Sequence, residues 1–260
     1  MRFTLPGLKQ TNILLISIFV TICIIFSASF VVKTQASSVY SFLTKWGVYG
    51  FNFGKFSTPA GVAVDSSGNI YVADSVMLRI QKFDSSGAYI TQWGSAGSAD
   101  GEFQSLHGLA IDSNDYIYTT DATGRRVQKF DSNGGFITKW GSNGSGNGQF
   151  GAFYDIAIDS TDNVYIADAY NYRIQKFDSF GTYISQFGTQ GSSDGQFDRA
   201  FYVSIDSSDN IYVTDYFNYR IQIFNPSGVF VDKFGSNGTG NSQFLAPRKV
   251  AVNSNGDIYV

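Results

Sequence analysis

Four short runs of alternating apolar and polar residues follow one another in the first third of the chain: GVAVD (Gly61–Asp65), NIYVAD (Asn69–Asp74), RIQKFD (Arg79–Asp84) and AYITQWG (Ala88–Gly94). A period of two puts successive side chains on opposite faces of a strand. Between the runs stand Ser66-Ser67-Gly68 and Ser85-Ser86-Gly87. Such residues favour tight turns, because Gly accepts positive φ and short polar side chains bond back to nearby backbone. Strands of 5–7 residues joined by these turns, with no helical stretch among them, predict an antiparallel four-stranded meander.

The whole segment then recurs. Gly-x-Phe places Phe56, Phe103, Phe150 and Phe197, and Ser-Gln-Phe places Phe244, so five anchors stand 47 residues apart. Nine residues after each of the first four comes an Asp (Asp65, Asp112, Asp159, Asp206), and nine further on a second one (Asp74, Asp121, Asp168, Asp215). An Arg follows (Arg79, Arg126, Arg173, Arg220), then a Phe, then a closing aromatic-Gly pair such as Trp140-Gly141. A period in the range of about 20–50 residues marks a supersecondary unit that stacks on its own copies. One four-stranded sheet cannot bury both faces, and radial stacking of several buries them all. The expectation is therefore an all-β protein, a β-propeller with four complete blades at about 56–94, 103–141, 150–188 and 197–235.

A fifth blade is split between the two ends of the repeat array. YSFLTKWG (Tyr40–Gly47) matches an outermost strand, and residues 244–260 supply a first strand and part of a second. The last copy stops at Val260 inside that second strand. Completing a five-bladed ring would take about eleven more residues and a six-bladed one roughly sixty, so a truncated array is expected.

Composition narrows the chemistry. Arg2, Lys9 and Lys33 lie in an N-terminal segment without acids, which leaves 15 basic against 21 acidic residues in 37–260. A phosphate-binding surface normally carries a basic excess, so nucleic acid is not an expected partner. The only Cys is Cys23 and the only His is His107, so residues beyond 36 can form no internal disulfide and no Cys-based zinc site.

From Thr11 to Val32 run 22 uncharged, mostly apolar residues behind Arg2 and Lys9. That is long enough to cross a bilayer as one helix, with the positive flank inside. Residues 1–36 are thus read as a membrane anchor or, with cleavage at Thr34-Gln35-Ala36, a signal peptide. Either one puts the propeller on the extracytoplasmic side, tethered or secreted.

The fullest copy, IAIDSTDNVYIADAYNYRIQKFDSFGTYISQFGTQGSSDGQF (Ile156–Phe197), resembles the NHL-repeat family, and the likeness extends over nearly all of 40–260. The resemblance implies the propeller fold. It implies no single function, because such propellers serve as binding platforms, RNA readers, lyases and receptor ectodomains.

Residues that recur in every blade are expected to be scaffold: the Asp residues as turn caps, the Asp and Arg as pairs. Calcium on the Asp-rich turns is the alternative, although each turn offers a single carboxylate. Functional residues are sought where the copies differ, on the face carrying the approach to the first strand and the loop between the second and third. Two approach columns read Ala60, His107, Tyr154, Phe201, Arg248 and Gly61, Gly108, Asp155, Tyr202, Lys249. The loop contributes Arg125 in the second copy, Tyr170 and Tyr172 in the third, and Tyr216, Phe217 and Tyr219 in the fourth. The aromatics crowd one rim, and rings on loops held by a rigid frame suit contact with a protein, peptide or glycan. Two glycosylation sequons begin at Asn143 and Asn237 on that face.

The functional expectation is a non-catalytic binding module near a membrane, without catalytic residue, cofactor or metal. Two alternatives follow from the resemblance: a lyase or lactonase with a channel metal, for which only His107 and Asp155 offer suitable chemistry here, and an RNA-binding module.

Overall fold

The alternating runs of each repeat become strands paired in sequence order. A computed structural model describes residues 45–253 and 255–260. The expected N-terminal hydrophobic helix and residues 40–44 of the expected outer strand lie outside them. The first blade consists of Pro59–Val64, Ile70–Asp74, Arg79–Phe83 and Tyr89–Trp93. The second has Leu106–Ile111, Ile117–Asp121, Arg126–Phe130 and Phe136–Trp140. The third has Ile156–Ile158, Val164–Asp168, Arg173–Phe177 and Tyr183–Phe187. The fourth has Ala200–Ile205, Ile211–Asp215, Arg220–Phe224 and Phe230–Phe234. Each is an antiparallel four-stranded sheet, and Ala251–Val252 with Ile258–Tyr259 begins a fifth. The arrangement is a β-propeller whose first strands adjoin one another from blade to blade.

Apolar residues pack between blades. Tyr71, Ala73 and Ile80 of the first blade meet Leu106, Leu109, Ile117 and Phe130 of the second. Tyr118 and Val127 of the second meet Phe150, Phe153, Ile156 and Val164 of the third. The third packs on the fourth in the same way through Tyr165, Ile174, Val203 and Phe224. Burying each large side chain stabilises by about 1.5–3 kcal/mol, so each junction is held by several such contributions.

The aromatic-Gly pairs and Phe anchors form the seams. Phe103 bridges Ala96 in parallel fashion, and Gln149–Phe150 and Gln196–Phe197 pair in parallel with Ser142–Asn143 and Thr189–Gln190. These short parallel pairs inside the inter-blade loops were not expected from the alternation. Gly188 needs to be glycine: φ is +100°, and a Cβ there would lie 2.5 Å from the Phe197 ring. Trp140 lies flat on Gly181 of the next blade, where a Cβ would come within 2.5 Å of the indole. Trp46 lies on Gly87 in the same relation and packs at 4.6 Å on Phe83.

Two short 3₁₀ turns also depart from an expectation of strands and plain turns alone. They span Ala169–Asn171 and Tyr216–Asn218, each closed by a left-handed tyrosine, Tyr172 (φ 56°) and Tyr219 (φ 55°). The Asn of each loop braces the turn. Asn171 Nδ2 donates to Asp168 and to the Gly144 carbonyl, and Asn218 Nδ2 to Asp215 and the Gly191 carbonyl. The first two blades have Met77 and Gly124 there and lack this tie. Among the described residues no helix is long and apolar enough to cross a membrane.

Candidate functional site

The rim is positioned by a polar frame repeated in each blade. Asp168 Oδ1 accepts the Gly151 N–H at 2.9 Å, while Oδ2 accepts from Arg173 Nε at 2.9 Å. Arg173 also donates to the Gly146 and Gln149 carbonyls, and Gln175 Nε2 to Gln149, so the preceding loop is clamped to its blade. The fourth blade repeats this through Asp215, Arg220 and Gln222. Burial raises the pKa of Asp168 and Asp215, opposed by the hydrogen bonds of Asn171 and Asn218 and of the paired arginines.

On the opposite face the first Asp of each repeat caps its own turn. Asp159 accepts from the backbone and side chain of Asn163, from Thr161 and from Tyr165. Burial alone would raise its pKa, but these bonds, with Lys176 at 3.2 Å, hold it at about 2. The turns are also stapled to their neighbours: Ser113 donates to Asp162 of the next blade, and Ser160 to Asp209. The recurring acids are therefore engaged by the protein itself.

Above the frame, the variable columns meet as an aromatic ladder across three blades. His107 stands edge-on to Tyr154 at 5.2 Å, and Tyr154 edge-on to Phe201 at 5.2 Å. Phe201 meets Tyr216 at 4.9 Å, and Tyr216 meets Phe217 at 4.8 Å, both nearly perpendicular. Edge-to-face contact is the arrangement that aromatic quadrupoles favour. The ladder encloses a hollow of about 270 Å³ lined by Tyr154, Phe201, Tyr202, Tyr216, Phe217 and Arg248. Burial raises the pKa of Tyr154 and Tyr202, so both phenols stay protonated at neutral pH.

The remaining sequence-derived candidates divide. Tyr170 and Tyr172 lie beside this hollow rather than in it, under the Arg199 guanidinium at 3.9 and 4.9 Å from their ring centroids. Arg199 escaped the sequence reading, yet it had a signal: it is the lone cation in a column of small residues, Thr58, Ser105, Ala152 and Ala246. Tyr219 is half-buried and closes its turn. Asp155 is buried; its carboxylate takes two contacts from Lys249 Nζ, at 2.7 and 2.8 Å, and one from the Val203 N–H. Lys249 thus ties the fifth blade across Tyr202 to the third. His107 Nε2 is 3.0 Å from Ser105 Oγ, and burial lowers its pKa, leaving the ring neutral at pH 7. The two residues suited to a channel metal are thus already engaged, and among the described residues no three His, Cys, Asp or Glu side chains gather to hold one. Asn143 and Asn237 are exposed in the inter-blade loops of this face.

Fold and rim together define a repeat propeller with a variable, aromatic face on an invariant polar frame. The NHL repeat model matches residues 56–83 and 155–177. The chain is an NHL-repeat β-propeller. No curated protein matches the sequence. Among solved structures it is similar to a streptogramin B lyase, at 17% identity and a TM-score of 0.60 over 78% of this chain and 61% of that one. It is also similar to virginiamycin B lyase from Staphylococcus aureus, at 13% identity and a TM-score of 0.58 over 78% of this chain and 62% of that one. A protein of unknown function from Bacteroides thetaiotaomicron shares 20% identity at a TM-score of 0.58, over 79% of this chain and 52% of that one. At such identities the likeness is one of fold, and the chain spans about three fifths of the two lyases' length.

Proposed function

We propose that this chain is a non-catalytic binding module, exported and held near a membrane by its N-terminal segment, that captures a protein, peptide or glycan on the rim of its third and fourth blades. The observation behind this reading is the convergence of five rings and Arg248 on one hollow. Flat apolar faces with phenol edges offer stacking and hydrogen bonding together, and Arg248 adds charge selectivity. Side chains on loops clamped by the Asp–Arg frame lose little freedom on binding, which favours affinity. The lyase names of similar solved structures belong to those proteins, and the residues suited to a channel metal here are engaged elsewhere.

The test is to present the purified chain to a glycan array and a displayed-peptide panel, then repeat with Tyr216→Ser/Phe217→Ser. The expected result is at least one saturable ligand whose binding falls tenfold or more in the double variant. No saturable ligand in either panel, or binding that the variant retains, contradicts the proposal.

A further inference from the structure

A second hollow opens on the same face above the second blade, about 420 Å³ in volume and lined chiefly by Ser98, Gln104, Thr123, Arg125, Ser142 and Asn143. Its chemistry is the reverse of the aromatic hollow: hydroxyls, amides and a cation. Arg125 forms no ion pair among the described residues, and its Nη1 is buried without a hydrogen-bond partner. The carboxylate of its own loop is already taken. Asp121 accepts from the Gln104, Ser105 and Gly124 N–H groups and pairs with Arg126 Nε at 3.1 Å, while Arg126 also donates to the Ser98 and Glu102 carbonyls.

A guanidinium nitrogen that gives up water and gains no acceptor is destabilising. The fold does not require it here. The same position is Leu78, Tyr172 and Tyr219 in the other blades, all with φ between 51° and 56°, as Arg125 has at 52°. In the second blade the arginine at this position stands among the side chains of Ser98, Gln104, Thr123, Ser142 and Asn143. Guanidinium forks match the oxygens of carboxylate, sulfate and phosphate.

We propose that this hollow binds a single oxyanion group, with Arg125 as its charge partner and the Ser98, Thr123 and Ser142 hydroxyls and the Asn143 amide as further donors. The site is separate from the aromatic hollow and does not rest on the function proposed there.

The test is a titration of the chain with sodium sulfate, sodium phosphate and sodium acetate at constant ionic strength set with chloride. Backbone amide spectra and thermal melts are the readouts. The expected result is a saturable perturbation confined to 123–126 and 141–143 for at least one anion, and a Tm rise of about 3–6 °C at ten times its Kd. Arg125→Leu, which installs the first blade's residue, should keep the folded spectrum and lose both effects. Subtracting the variant's melt removes the general stabilisation that sulfate and phosphate give any protein. Arg125→Gln serves if the Leu variant fails to fold. The ranking of acetate against sulfate and phosphate separates a carboxylate ligand from a sulfated or phosphorylated one. Absence of any saturable perturbation, or an equal response in the variant, overturns the proposal.

Discussion

Identical residue types do opposite work at the two ends of each blade. Asp159 lies on a turn where hydrogen bonds outweigh burial and hold its pKa at about 2 against an ordinary 3.8, whereas burial raises that of Asp168. A depressed carboxyl pKa means the folded state binds fewer protons, so its stabilisation is present above pH 4 and lost as pH falls from about 4 to 2. A raised one has the reverse sign and is relieved by acid. Urea unfolding of Asp159→Asn from pH 6 to 2 should therefore show an acid-limb loss smaller than wild type by about 1–2 kcal/mol, allowing for solvent screening. An unchanged slope would refute the assignment. Arg220→Met leaves the fully buried Asp215 without its ion-pair partner and should cost about 3–5 kcal/mol in the same assay at pH 7. A loss under about 1 kcal/mol would mean the clamp is not ionic. The scaffold role of these residues was legible because they recur with the period. Arg199 stood out only as the lone cation of its column, and the tie from Lys249 to Asp155 had no signal, because it joins different blades through loop geometry that no spacing along the chain encodes.

Strand number, order and turn positions were readable because alternation and Gly-rich turns are local properties of the sequence. The parallel loop pairs and the ties from Asn171 and Asn218 were missed because they join the Phe anchors to folded-back seams and the Asn side chains to loops about 27 residues away in chain order. The glycine of each aromatic-Gly pair serves the seam, so Gly188→Ala, which sets a methyl 2.5 Å from Phe197 at positive φ, should cost about 1–3 kcal/mol in a urea melt. Leu109 is 5% exposed against the first blade, whereas its repeat equivalent Val62 is 66% exposed. Leu109→Ala should cost about 2–5 kcal/mol, and Val62→Ala in this chain less than about 0.5 kcal/mol. Comparable losses at the two sites would contradict the packing described.

At the scale of the molecule, the division of labour is between faces. The turn face carries the Asp caps and Ser–Asp staples, while the variable face carries the ladder from His107 to Phe217 and the Arg125 hollow. Sequence alone put the aromatics on one rim, because the columns where the copies disagree are visible in an alignment of the repeats. It did not separate the rings that converge on one hollow from Tyr170 and Tyr172, which sit under Arg199. Phe180, 79% exposed on the turn face, gives a matched control for rim variants. The central claim is that recognition belongs to the variable rim on an indifferent frame. The most direct test is the affinity of one array-selected ligand for the intact chain, for Tyr216→Ser/Phe217→Ser and for Phe180→Ser. The account predicts a loss of tenfold or more in the rim variant and an unchanged affinity in the turn-face variant. Equal affinities in all three, or a loss confined to Phe180→Ser, would contradict it.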